Sequence, residues 1–468
     1  MNMATTPAQT QTLESHALSS PATWTLQPEP RSQSAPAAPT EPCEQLDENI
    51  DSNSLDRETL LKVASASFSF FCAGVNDGST GAIIPHVIRD YNVNTAIVSS
   101  IYGATFAGWV VAALTNTHLG QYLDLGAMLA LGAVLQILAQ ALRAWMPPFG
   151  LYVTTFFLVA VGAAYNDTHA NTFVATVKGA HRWLAVIHAS FMGGCLVGPF
   201  VATAVASAGE QRTWNLFYIF PVGICLANLG FIAWAFRDSF TLHPTRHLPG
   251  GTDIEGEESQ VTRGKDATAL IRAALGRPAV WLLSLFYFFY IGSQITSNGW
   301  VVEYLVEVRG GDLSRMGYVP AGFNGGCLLG RLLLAEPTHR LGERRMVFIY
   351  CVLAVGLQIL FWMVPNIIAA SVAISFVGFF TGPLFATGIN VGTKLFPPEL
   401  HSTALAFVFV FAQMGGSFFP VITGVIASSK GVGTLQPILV AILACTGISW
   451  LLVPSAKRQG NEAALHEE

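Results

Sequence analysis

The chain has 468 residues, 52% of them hydrophobic and only 11% charged, against about 25% charged in an ordinary soluble domain. The net charge of −5 says little by itself. No Gly-x-x-x-x-Gly-Lys-Ser/Thr phosphate loop, no His/Cys cluster at zinc spacing and no nucleophile elbow occurs, so an ATP-driven pump, a metal centre and an enzyme are disfavoured, and neither a cofactor nor nucleic acid is expected as a partner.

Residues 1–64 are rich in Pro, Ser, Thr, Gln and Ala and lack a basic stretch followed by an apolar core. They read as a disordered cytoplasmic tail without a cleaved signal. From 65 to 454 a succession of apolar blocks follows, each long enough to cross the ~30 Å hydrocarbon layer as a helix. Twelve spans are predicted, at 65–88, 95–116, 124–145, 149–172, 185–207, 214–236, 279–303, 316–335, 345–363, 367–392, 402–427 and 432–454. The polar interval 237–278, with Pro244, Pro249, Gly250, Gly251 and the acidic run Asp253 to Glu258, separates six spans from six. Residues 455–468 form a second tail. The expected fold is an all-α polytopic membrane protein of two parallel six-helix bundles, 65–236 and 279–454.

With both termini on one side, that side collects Lys178, Arg182, Arg237, Arg246, Arg263, Lys265, Arg272, Arg277, Arg340, Arg344, Arg345, Lys394, Lys457 and Arg458. The other side keeps Arg89, Arg143, Arg212, Arg309, Arg315 and Lys430. Excess Lys and Arg marks the cytoplasmic side, so both termini are predicted to be cytoplasmic. Cys72, Cys195, Cys225, Cys327, Cys351 and Cys445 fall in apolar spans and Cys43 in the tail; none has metal or redox spacing, and they read as small hydrophobes.

Two carboxylates interrupt the apolar spans. Asp77 in span 1 lies among Asn76, Thr80, Gly74, Gly78 and Gly81; Asp167 in span 4 lies among Asn166, His169, Asn171 and Thr172. An aspartate at membrane depth costs at least ~2.5–3.5 kcal/mol, so it marks a substrate path or a proton relay. Low dielectric disfavours the charged form of a carboxyl, which suits loading and release of a proton. Asp167 and Asn171 are four apart and share a helix face. The competing reading is polar glue between helices. Gln294, Ser297 and Asn298 in span 7 form a polar stripe beside Trp300, which suits a sugar-like ligand, with helix packing as the alternative; Trp300 and Glu303 also fit an outer membrane interface.

A two-fold repeat relates the halves. Phe70-Phe71-x-x-Gly74-x-Asn76-x-x-Ser79-x-Gly81 matches Phe288-Phe289-x-x-Gly292-x-Gln294-x-x-Ser297-x-Gly299, and Met192-Gly193-Gly194 matches Met414-Gly415-Gly416. Parallel repeats of six spans place the substrate between the halves near the midplane. Asp77 aligns with Ile295 and Asp167 with Ile389, so the acids belong to the first half. The second half offers Gln294, Ser297, Asn298, Thr387 and Asn390. Gating is expected at Gly198 and Pro199 of span 5, at Pro420 of span 11, at Arg331 and in the segment from His339 to Arg345 that includes Gly342.

These residues resemble the major facilitator superfamily: twelve spans in two halves, the degenerate Gly-x-x-x-Asp-x-Gly over Gly120–Gly126 and Gly194-x-x-x-Gly198-Pro199. The run Asp167-Thr168-His169-Ala170-Asn171-Thr172-Phe173-Val174 is similar to the acidic-Thr-x-Ala-Asn-x-Phe-Val run of the fucose–proton symporter family, and Asn76-Asp77 before Pro85 resembles its span-1 Asn-Asp. Tyr318-Val319-Pro320-Ala321-Gly322-Phe323 and Leu341-Gly342-Glu343-Arg344-Arg345 look like signatures of its fungal members, which usually carry an acid where this chain has Gln294 and often Trp where it has Asn324. The resemblance implies a monomeric secondary active transporter working by alternating access in a lipid bilayer, coupling protons to a small polar solute such as a sugar. Asp77 and Asp167 are then the proton-coupling residues, and Asn76, Asn171, Gln294, Ser297, Asn298, Trp300 and Asn390 the substrate-binding ones. The plasma membrane is the expected location, with the vacuole second. Proton-driven efflux of a toxin or secondary metabolite, and a nutrient sensor that moves nothing, are the rival readings.

Overall fold

A computed structural model describes residues 56–120, 122–208, 213–240, 270–397 and 400–454. The first tail up to 55, the acidic run and Arg246, Arg263 and Lys265 of the central interval, and the second tail lie outside these residues. The predicted tail does not reach 64: helix α1 begins at Arg57 and runs to Asp90. Val63 is buried in a cluster that Leu61 joins, and Lys62 donates to Asp238 beyond the sixth span, so this first turn has packing of its own.

The other spans follow as α2 (Ser100–Leu119), α3 (Leu125–Ala144), α4 (Phe149–Thr176), α5 (Ala180–Ser207) and α6 (Ile219–Ala235). The second half has α7 (Pro278–Glu307), α8 (Val319–Leu333), α9 (Glu343–Met363), α10 (Ile367–Thr381, resuming at Leu384–Leu395), α11 (His401–Lys430) and α12 (Leu435–Leu452). Among the described residues ten spans are long and apolar enough to cross a membrane. The two outside that set are α1, interrupted by Asn76, Asp77 and several Ser and Thr, and α8, which is only 15 residues long. Asn94 and Asn366 cap the entries to the second and tenth spans through Ile97 N and Ala369 N.

The halves repeat one packing scheme. α1 lies on α5 and α6, and α4 on α2 and α3; correspondingly α7 lies on α11 and α12, and α10 on α8 and α9. Lipid supplies no hydrophobic drive between helices, so close backbone approach over small residues does the joining. A methyl group at Gly74 or Gly194 would strike the backbone of the other helix of the α1–α5 pair, and one at Gly415 would strike Phe288 of α7. Gly326, Gly330, Gly378 and Gly382 stitch α8 to α10 in the same way. Polar pairs add to this, as where Ser69 Oγ donates to Asn228 Oδ1 at 2.8 Å between α1 and α6.

Between the halves, α1 meets α7, α2 meets α11 and α5 meets α8. Arg89 and Thr95 both bond across this seam on the side away from the termini. Arg89 Nη2 pairs with Glu307 Oε1 at 3.4 Å, and Thr95 Oγ1 donates to the Gly424 carbonyl at 2.8 Å. Toward the terminal side, Lys62 pairs with Asp238, Lys394 with Glu343 and Arg340 with Glu336, each within one half.

Candidate functional site

The helices enclose a central cavity of about 310 Å³ between the halves. Its first-half wall includes Asn76, Asp77 and Thr80 of α1, Tyr102 and Trp109 of α2, Phe156 and Asp167 of α4, and His188 and Cys195 of α5. Its second-half wall includes Gln294, Ile295 and Asn298 of α7, Asn324 and Arg331 of α8, Phe385 of α10, and Gln413 and Ser417 of α11. Asp77 and Asp167, 90 positions apart in sequence, therefore face one space. Ile295, the repeat partner of Asp77, lines the opposite wall, so the cavity is acidic on one side only.

Asp77 sits in a network that ends on a cation. Its Oδ1 accepts from Asn76 Nδ2 at 2.9 Å. Asn76 Oδ1 accepts in turn from Gln140 Nε2 at 2.9 Å and from Arg143 Nη1 at 2.8 Å. Arg143 also donates through Nε to Thr155 Oγ1 at 2.7 Å, and its guanidinium lies 3.7 Å over the Phe156 ring. The sequence reading placed Arg143 among the loop cations of the far side; instead it is 1% exposed. Gln136, Gln140 and Arg143 fall on one stripe of α3 at spacings of four and three, and all three are buried. That stripe was visible in the sequence. Asp167 has a simpler surrounding: Asn171 Nδ2 donates to its Oδ1 at 3.3 Å, one turn along α4.

The second-half wall is neutral except for Arg331. Gln294 Oε1 accepts from Cys327 Sγ at 3.5 Å. Asn298 Nδ2 reaches the Asp77 carbonyl at 3.4 Å, and Asn298 Oδ1 accepts from Asn324 Nδ2 at 2.9 Å. Asn324 Nδ2 also reaches the Cys195 carbonyl at 3.1 Å, so it pins α8 to α5 across the seam; its sequence signal was only that similar fungal chains often carry Trp there. α10 breaks at Gly382 and Pro383, because proline has no N–H to continue the ladder. Arg331 Nε donates to the Gly382 carbonyl at 3.1 Å, and its guanidinium lies 5.4 Å from the Phe385 ring. A broken helix at membrane depth is tolerated where its freed backbone groups find such partners.

The remaining sequence candidates lie off the cavity. Ser297 is buried but turned out of its wall, and Trp300 is fully buried with its Nε1 donating to the Pro420 carbonyl at 3.2 Å, between α7 and α11. Asn171 reaches the cavity only through Asp167. Asn390 donates to Glu343, which also holds Lys394 at 2.8 Å, so it ties α10 to α9 near the terminal side. Gly198, followed by Pro199 within α5, faces the Val75 carbonyl of α1, where a methyl would sit at 2.5 Å. Gly342 turns the chain into α9 at φ +98°, a left-handed value that favours glycine, and Arg345 is exposed in the first turn of that helix. Near the terminal side, the Lys62 ammonium at 2.6 Å holds the Asp238 carboxyl below the ordinary carboxylate range. Among the described residues no group of three or more His, Cys, Asp or Glu is placed to hold a metal.

Comparison with known proteins agrees with this geometry. The chain is 26% identical over 414 residues to Bypass of stop codon protein 6 of Saccharomyces cerevisiae, covering 84% of this chain and 82% of that protein. Its fold is similar to a bacterial homolog of the human lysosomal transporter Spinster in an inward-facing, unoccupied conformation, with a TM-score of 0.67, 12% identity and coverage of 86% of this chain and 98% of that one. It is similar also to a D-xylose–proton symporter, with a TM-score of 0.63, 12% identity and coverage of 85% and 98%. The Major Facilitator Superfamily model matches residues 66–420, with a second match over 305–467. Paired six-helix halves around one central cavity thus have their explanation in descent: the chain belongs to the Major Facilitator Superfamily and is a multi-pass membrane transporter of that fold.

Proposed function

We propose that this transporter is proton-coupled and moves a small polar solute such as a sugar by alternating access. The observation that carries the reading is the pair of carboxylates, Asp77 and Asp167, in one wall of the central cavity, where a charge at membrane depth is retained only for use. Protonation of Asp167 removes a costly buried charge, so its neutral and ionised forms favour different orientations of the halves. Gln294, Asn298 and Asn324 supply neutral donors and acceptors to the solute, and Arg331 steadies the broken helix beside it. In symport the proton and solute move together, so uptake falls as pH rises on the side of entry. The sequence likeness to fucose–proton symporters and the fold likeness to a D-xylose–proton symporter support a sugar-like solute. Lys178, Arg182, Arg272, Arg277, Arg344 and Arg345 on the terminal side support cytoplasmic termini, with the plasma membrane as the location and a monomer as the working unit.

Proton-driven export of an amphipathic metabolite is the second reading. Phe70, Trp109, Phe156, Phe191, Phe323 and Phe385 all line the cavity, and aromatic surface of that extent suits a solute with an apolar body. One experiment separates the two. Purified protein in liposomes holding a pH dye is offered L-fucose, D-xylose and a panel of amphipathic metabolites. Internal acidification on adding an external solute identifies symport, and alkalinisation identifies antiport. Solute equilibration with no proton movement would overturn proton coupling.

A further inference from the structure

Every group bonded to Arg143 among the described residues is neutral: Thr155, Asn76 and Gln140. Its Nη2 is buried without a hydrogen-bond partner. A buried cation in that state costs several kcal/mol unless a charge nearby compensates it. The titratable groups that face it are Tyr152 of α4, Tyr218 of the turn before α6, and Asp77 of α1. Only a carboxyl among these is readily ionised at neutral pH.

The link between Arg143 and Asp77 is the Asn76 side chain. Its Oδ1 is occupied by two donors, Arg143 Nη1 and Gln140 Nε2, so its Nδ2 is fixed toward Asp77 Oδ1. The amide dipole is clamped with its acceptor end on the cation and its donor end on the carboxylate. Among the described residues Asp167 shows no such link; its bond is to Asn171. The ionisable groups facing Asp77 are Arg143 from α3, Asp167 from α4 and Cys195 from α5. From α7 the neutral Asn298 reaches the Asp77 backbone carbonyl.

We propose that Arg143 is a positioning residue which, acting through Asn76, keeps Asp77 ionised throughout the cycle and so leaves the exchangeable proton to Asp167. The proposal rests on the proton-coupled reading above. It makes the two aspartates unequal: Asp77 is a fixed acceptor for solute donors, and Asp167 is the proton carrier.

The test is infrared difference spectroscopy of the protonated carboxyl C=O stretch, on full-length protein in liposomes stepped from acid to alkaline pH with no solute added. In the wild type, one titrating band is expected to vanish in Asp167→Asn and to persist in Asp77→Asn. Arg143→Gln is expected to gain a second band that the Arg143→Gln/Asp77→Asn double variant lacks, and Arg143→Lys, which keeps the charge, to gain none. Asn76→Leu cuts the link with Arg143 in place and is expected to gain the same second band, which serves if Arg143→Gln does not fold. An Asp77-dependent band already in the wild type, or none in folded Arg143→Gln or Asn76→Leu, overturns the proposal while leaving proton coupling through Asp167 intact. A wild-type spectrum unaltered by Asp167→Asn overturns both readings.

Discussion

Gly81 of α1 faces α7 across the seam between the halves. A methyl group built on it would overlap the Asn298 carbonyl oxygen and lie 3.0 Å from the carbonyl carbon and 3.3 Å from Gly299 Cα. All three are backbone atoms, so no side-chain rotation relieves the contact and the two helices must part. Overpacking of this kind costs about 1–3 kcal/mol. The strain exists only while this side of the seam is closed, so it acts as a differential cost between two orientations. At that size it shifts their ratio by roughly 5- to 150-fold. Gly81→Ala is therefore expected to populate a form open on the side away from the termini. The assay is a spin-label distance between positions 89 and 307, where Arg89 and Glu307 now approach to 3.4 Å, in a background with the native cysteines replaced. Losing that exposed pair to the labels costs only about 0–1 kcal/mol. The wild type is expected to show mainly the short distance, and Gly81→Ala a longer one as the larger component. An unchanged distribution in folded Gly81→Ala would mean that the seam absorbs the methyl without opening, contrary to this expectation.

Arg331→Met would leave the Gly382 carbonyl without its donor, and an unsatisfied buried acceptor costs about 1–3 kcal/mol; detergent-solubilised protein should unfold at a lower temperature, and an unaltered melting curve would count against that role. Trp300→Phe removes the bond to the Pro420 carbonyl and should cost about 0.5–1.5 kcal/mol while leaving solute affinity near wild type, since the indole is off the cavity. A large loss of affinity would instead make Trp300 a binding residue. The Asp238 carboxyl is held low by Lys62, so its contribution is present at neutral pH and is lost as pH falls through its folded-state value. The Asp238 side chain is half exposed, and Asp238→Asn should destabilise by only ~0–1 kcal/mol at neutral pH, with no difference from wild type in acid.

Hydropathy made most of the spans legible, because ten of them are long and apolar enough to cross lipid, whereas α1 carries Asn76 and Asp77 and α8 is short. The repeat was legible through glycines: Gly74 and Gly292 are small because each faces another helix, α5 in one half and α11 in the other. Asp77 and Asp167 stood out because carboxylates are so costly at that depth, and they do line one cavity. The polar stripe of span 7 was only partly informative. Residues three and four apart point to either side of a common line, and the structure turns Gln294 and Asn298 into the cavity while Ser297 faces away. Trp300 looked like a sugar platform, but whether an indole stacks on a ligand or a neighbouring helix depends on how α11 packs, which spacing along α7 does not encode. Arg143 was hidden for a related reason. It closes an apolar span just before Trp145-Met146-Pro147-Pro148, where loop cations are common, and its burial arises from α1 and α4 closing over it. The start of α1 at Arg57 depends likewise on a distant partner, Asp238.

If Asp167 carries the coupled proton, its removal separates two fluxes that the wild type performs together. Wild-type and Asp167→Asn protein are reconstituted into liposomes, and the solute identified by the pH-dye panel is followed as a radiolabel, first under an imposed pH gradient and then in exchange at equal pH. Gradient-driven accumulation is expected in the wild type only, with exchange retained in both. Full accumulation by Asp167→Asn would contradict that expectation.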